Sequence, residues 1–251
     1  MSPAGPALIE RFRQARSDPG RAVLEGFHAL KHALRFGASL ELACAPEAAP
    51  ITALASRLAP DLAGWLAQHL EPVPEELFRR LSPQPPKTAV MAIARRAPPD
   101  LERLFVPPCD APVVLLEGPS HHGNLGAVIR VAAAAGAAAV LTTGPLEPWH
   151  PNAVRGSAGL HYALPVARLD RLPPSRRPLL ALDPAGAPLR AGDIPSDGVL
   201  VFGSERRGLS PELRARADRT LALPMRPGVS SLNLATAAAS VLYAWRLGQG
   251  M

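Results

Sequence analysis

The chain has 251 residues, 47% of them hydrophobic and 19% charged, a composition that excludes intrinsic disorder and has room for one large domain or two ordinary ones. Its formal net charge is +6, and the excess is uneven: residues 1–110 carry 13 basic against 12 acidic side chains, residues 111–251 carry 14 against 9. Two distant cysteines, Cys44 and Cys109, exclude a disulfide framework and a cysteine-ligated zinc site.

Thirty prolines are scattered without period, which reads as short, stiff loops rather than a repetitive chain. Lys31 and Lys87 are the only lysines among 27 basic residues, so arginine, with its bidentate fork, would make nearly every phosphate contact. The first 20 residues lack an apolar run and no stretch reaches the ~20 apolar residues of a membrane span. The expectation is a cytoplasmic, reduced protein away from membranes.

In chain order, Phe27, Leu30, Lys31 and Leu34 follow helical spacing, with Gly37 as the stop. Leu40–Cys44 alternates like a short strand, Pro50–Leu70 reads as one or two helices, and Ala89–Ala94 as a buried strand. The proline pairs Pro98-Pro99 and Pro107-Pro108 punctuate the chain and resist regular structure. They divide it into a small α/β domain at 1–106, a linker at 107–111 and a second domain at 112–251.

Strands are predicted in the second domain at Val113–Leu116, Ala138–Leu141, Leu179–Leu182, Val199–Phe202 and Leu221–Leu223. Between the first two, Asn124 is expected to cap a helix that runs to Gly136. Ser210-Pro211 opens another helix, and a last one spans about Ser231 to Leu247. Strands alternating with helices imply a parallel sheet covered on both faces.

The common nucleotide and hydrolase signatures are missing: no GxGxxG with a downstream acid, no GxxxxGK[ST], no HExxH and no GxSxG. His121-His122 alone does not make a metal site, since adjacent side chains on an extended segment diverge. Three strand-end turns remain: Gly123-Asn124-Leu125-Gly126 leading to Arg130, then Gly203-Ser204-Glu205-Arg206-Arg207-Gly208, then Leu223-Pro224-Met225 leading to Ser231-Leu232-Asn233. Arg130 lies in an otherwise apolar helix, and as a buried arginine it is expected either to meet an anion or to pair structurally.

In this order, the three turns resemble the signature motifs of the SpoU-TrmH family of RNA ribose methyltransferases, within the SPOUT class. The resemblance covers residues 112–251, including Val154–Gly159 between the first two motifs, and Leu24–Leu30 resembles the start of the family's substrate-binding domain. Arg206-Arg207 departs from the small or acidic residues common at that place. The resemblance implies a small α/β substrate-binding domain followed by a parallel-sheet SPOUT domain with a trefoil knot. It also implies a homodimer with shared active sites, no metal, and methylation of a ribose 2′-hydroxyl in tRNA or rRNA from S-adenosylmethionine.

Carried over residue by residue, Arg130, Asn124, Glu205, Ser231 and Asn233 become the catalytic set. Gly203, Leu223, Met225 and Leu232 become the cofactor-binding set. Arg130 acts either as a general base or, since a guanidinium with pKa above ~12 has no free lone pair, by binding phosphate and stabilising an alkoxide. Two other readings compete: a non-catalytic RNA-binding relative, and a nucleotide-dependent oxidoreductase on a doubly wound sheet.

Overall fold

A computed structural model describes residues 4–96, 98–190 and 192–249. It divides into two compact units: one runs to Pro98 and takes in Trp149–Ala163, the other comprises Pro99–Pro148 and the chain from Leu164 onward.

In the first unit, strands β1 (Arg21–Glu25), β2 (Leu40–Ala45), β3 (Glu71–Pro72) and β4 (Met91–Arg95) form a sheet in the order β1-β4-β2-β3. The central β4 is antiparallel to both β1 and β2, and Met91–Ala94 are fully buried. The predicted helix at Phe27 spans Phe27–Arg35. The Pro50–Leu70 region is two helices, Ala48–Leu58 and Pro60–His69; Pro60 starts the second because it lacks the amide hydrogen a continuous helix would use there. Phe12, Phe78, Leu81 and Met91 build a core on one sheet face, with Phe12 supplied by the helix Ala4–Ser17.

In the second unit, β5 (Val113–Leu116), β6 (Ala139–Thr142), β7 (Val166–Arg168), β8 (Leu179–Pro188), β9 (Val199–Phe202) and β10 (Arg219–Ala222) form a wholly parallel sheet in the order β10-β8-β9-β5-β6-β7. The central strands are buried along their length, as a parallel sheet covered by helices requires. The helices His122–Ala135 and Leu234–Gly248 pack together, burying Leu125, Ile129, Val241, Leu242 and Trp245. From β5 the chain runs one way through β6 and β7, then crosses to β8 and β9 on the other side of β5. Ligands in open α/β sheets bind at such a reversal, beyond the carboxyl ends of the strands.

The division of the chain differs from the sequence expectation in two places. Residues 99–106 belong to the second unit because Leu101, Leu104 and Phe105 pack on its core. There the buried Arg177 donates to the carbonyls of Leu104, Ala111 and Asp197. Residues 149–163, expected in the 112–251 domain, belong to the first unit. Arg155 donates to the Glu25 carboxylate and to both oxygens of Gln84, and the Ala158 carbonyl lies 2.8 Å from Nδ1 of His32.

Glu25 also accepts from Arg16 and Ser82, each at 2.7 Å, with a side chain only 2% exposed. Its replacement by Ala would leave two guanidinium groups facing a buried void. We expect Glu25→Ala to cost about 3 kcal/mol or more, read as a lowered denaturation midpoint. Asp61→Ala, which breaks an exposed ion pair with Arg35, should cost less than about 1 kcal/mol in the same experiment.

Candidate active site

Three loops leave the carboxyl ends of β5, β9 and β10, and all of them contribute to one cavity of about 490 Å³, within the range of small-molecule sites. The first loop follows Leu116 and enters the helix His122–Ala135. His121, not Asn124 as the sequence suggested, occupies the N-cap position of that helix, without a side-chain capping bond. With its backbone already helical, Asn124 has its side chain free for longer-range contacts.

The second loop is a tight turn after Phe202. Ser204 and Gly208 exchange backbone hydrogen bonds of 3.1 and 2.9 Å, and the Ser204 hydroxyl accepts from the Arg207 amide. Gly203 allows the closure, since a Cβ at this position would overlap the backbone of Gly208 and Leu209. The third loop, after β10, ends at Asn233, whose Oδ1 caps the helix Leu234–Gly248 by accepting from Ala235 and Thr236.

One chain of hydrogen bonds joins all three. Asn233 Nδ2 donates to Asn124 Oδ1 at 3.1 Å, and Asn124 Nδ2 donates to Glu205 Oε1 at 2.8 Å. Glu205 Oε2 accepts from the amide and the hydroxyl of Ser120, at 3.0 and 2.8 Å. Partial burial pushes the Glu205 pKa up, but the hydrogen bonds from Asn124 and Ser120 outweigh it, and the net shift is downward. Glu205 is therefore an ionised organiser of the loops. A second tie, from the Ser210 amide to Glu117 Oε2 at 2.7 Å, fastens the exit of the β9 turn to the end of β5.

Eight of the nine predicted site residues line the cavity: Asn124, Glu205, Ser231 and Asn233, with Gly203, Leu223, Met225 and Leu232. Arg130 does not. It lies on the exposed face of its helix, six residues and about 120° around from Asn124, with no ion pair to any described residue. The expectation of a buried arginine in an apolar helix is corrected: Val128 and Ile129 turn inward while residue 130 faces solvent. Arg206, Arg207 and Arg226 are exposed as well.

Sequence reasoning missed Glu117 and Ser120, although an acid directly after a buried strand was a readable signal. It also missed His121 and Asp183, which line the cavity. Among the described residues no cluster of three or more His, Cys, Asp or Glu side chains is placed to hold a metal ion, and no helix is long and apolar enough to cross a membrane.

Residues 111–243 match the SpoU rRNA Methylase family. The chain belongs to this family. It is 31% identical to an uncharacterized tRNA/rRNA methyltransferase of Synechocystis, over 96% of this chain and 91% of that protein. The crystal structure of an RNA 2′-O ribose methyltransferase superposes with a TM-score of 0.76 at 26% identity, covering 100% of this chain and 97% of the other. The SpoU methyltransferase AviRb of Streptomyces viridochromogenes, crystallised in complex with AdoMet, shares the fold at a TM-score of 0.75 and 23% identity, over 97% and 98% of the two chains. SpoU family membership removes the ground for an oxidoreductase.

Because its pKa is lowered, the Glu205 carboxylate should titrate below the ordinary glutamate range. Its hold on the loops is complete above the unfolded-state pKa and is lost only as pH falls through the depressed folded value. In an NMR pH titration, the Ser120 amide should report this low midpoint. Glu205→Gln should abolish that inflection.

Proposed function

We propose that this chain transfers a methyl group from S-adenosylmethionine to a ribose 2′-hydroxyl of tRNA or rRNA. The observation that carries the reading is the convergence of the three motif loops on one cavity, locked by the Asn233–Asn124–Glu205–Ser120 hydrogen bonds. Family membership supplies the reaction class.

The residues present fit the cofactor. The cavity's size suits a nucleoside-sized ligand, its wall at Gly203 is close-packed backbone, and the Glu205 carboxylate favours a ligand with positive charge. When bound, S-adenosylmethionine supplies an electrophilic methyl group on a cationic sulfur. Gly203, Leu223, Met225 and Leu232 would hold the cofactor, and Asn124, Ser231 and Asn233 would orient the ribose. Fixed positioning of this kind lowers a two-reactant barrier by about 7–11 kcal/mol.

Arg130 serves as a permanent cation for the substrate phosphate and for the negative charge that develops on the attacking oxygen. Since it is exposed and does not line the cavity of its own chain, we assign this role across a homodimer: Arg130 acts at the cavity of a second copy. Val229, Leu232, Tyr243 and Leu247 are exposed apolar side chains suited to such an interface. The family's trefoil knot is assigned to the region of β8–β10 and the last helix on the same grounds. The unit that runs to Pro98 and takes in Trp149–Ala163 is the proposed RNA-binding domain, and the exposed Arg206, Arg207 and Arg226 suit an RNA backbone.

Ribose methylation mapped across stable RNAs, with and without the protein, tests the activity; an unchanged map would overturn it. With the mapped RNA, Arg130→Ala should lower single-turnover methylation by about 100-fold or more. Stability should change by less than about 0.5 kcal/mol, as for other exposed positions. Normal folding with near wild-type methylation would exclude Arg130 from the chemistry.

The shared site has its own readout. Arg130→Ala and Asn124→Ala, each inactive alone, should regain activity when co-expressed, because a mixed dimer contains one intact combination. If Arg130 acts on its own chain's cavity, no activity returns.

A further inference from the structure

Asp183 lines the cavity but has no part in the chemistry above. It sits where β8 and β10 lose register: Leu180 and Ala181 face Arg219 and Thr220, whereas Leu221 and Ala222 face Ala187 and Pro188. Residues 182–186 thus have no partner on β10. Leu182, Asp183 and Pro184 form part of the cavity wall. The loop returns at Gly186, where a Cβ would overlap the backbone of Thr220 and Leu221, so it has little freedom to retreat.

The Asp183 side chain is 7% exposed and ion-paired, its Oδ2 lying 2.7 Å from a guanidinium nitrogen of Arg214. Its Oδ1 accepts from the Ala185 amide at 3.0 Å. Arg214 comes from the helix Pro211–Arg216, which Ser210 caps directly after the β9 turn, and its guanidinium also passes close to Gly208. Its side chain is about half exposed. The ion pair therefore ties the 182–186 segment to the helix that follows the 203–208 turn, and neutralises a carboxylate at the cavity wall.

We propose that Asp183 and Arg214 are positioning residues whose opposed charges set how strongly the cavity prefers a cationic ligand over a neutral one of the same shape. The inference rests on S-adenosylmethionine being the ligand. Its sulfur is positive before methyl transfer and neutral in the product, S-adenosylhomocysteine, so a cavity with too much negative charge favours the donor and one with too little retains the product. Glu205 supplies a second carboxylate, already held by Asn124 and Ser120. The Asp183–Arg214 pair sets the remaining balance.

The test is calorimetric titration of the full chain at pH 8 with S-adenosylmethionine and with S-adenosylhomocysteine, and it needs no RNA. Arg214→Gln unmasks the carboxylate and should raise the ratio of donor to product affinity about fivefold. Asp183→Asn leaves the guanidinium unopposed and should lower the ratio by a similar factor. The double variant should return it close to the wild-type value. Arg214 is exposed enough for its variant to fold, so Arg214→Gln alone keeps the test valid if Asp183→Asn does not. An unchanged ratio in Arg214→Gln, even with a lowered melting temperature, would make the pair a structural cross-link and overturn the proposal alone. Wild-type protein that binds neither compound would overturn the cofactor reading, and the proposal with it.

Discussion

Glu205 accepts hydrogen bonds from Ser120 and Asn124, 85 and 81 residues away in sequence, and the three loops of the cavity depend on those contacts. Loops at the ends of parallel strands have little regular pairing of their own, and bringing distant ones together costs closure entropy that grows slowly with separation. A carboxylate that accepts several hydrogen bonds offsets this cost well, because charge-assisted bonds are roughly twice as strong as neutral ones. Asn124 suits the middle position: its side-chain amide accepts from Asn233 while donating to Glu205. A carboxylate there would repel Glu205, and an ammonium would have nothing to accept with.

This arrangement separates the tasks of the charged side chains. The Glu205 carboxylate is consumed by the loops it holds, whereas its neighbours on the same turn, Arg206 and Arg207, are exposed cations. Asp183 and Arg214 neutralise each other at the cavity wall formed by Leu182–Pro184. Arg130, Arg206, Arg207 and Arg226 face solvent, where a polyanion or a second copy of the chain can reach them. Cofactor retention and substrate contact thus rest on different residues and can be disturbed separately.

The first unit depends on a different ion network. Glu25 is nearly inaccessible and holds Arg16 and Arg155, and in doing so incorporates Trp149–Ala163 into a unit otherwise made of residues up to Pro98. Such a network is costly to break from one side, since the partners are left charged and partly buried. A sequence segment that reads as the middle of one domain is thereby structurally part of the other.

Most of the second unit was legible in the sequence. Val113–Leu116 and Val199–Phe202 form strands over the expected residues, because a short, wholly apolar run between turn residues has few alternatives in a covered parallel sheet. Gly136 ends its helix in the left-handed conformation, and Ser210-Pro211 starts one, as local chemistry dictates. The short strands Arg21–Glu25 and Val166–Arg168 were missed, since they depend on neighbours for pairing more than on their own pattern. The site was legible as residue types in motif order: eight of the nine expected residues line the cavity. The direction of Arg130, the partners of Glu205 and the pairing of Asp183 with Arg214 were not. Helix and strand propensities are local and are written in consecutive residues; a hydrogen bond or ion pair across dozens of residues depends on where the sheet order brings two loops together, and only the tertiary structure decides that.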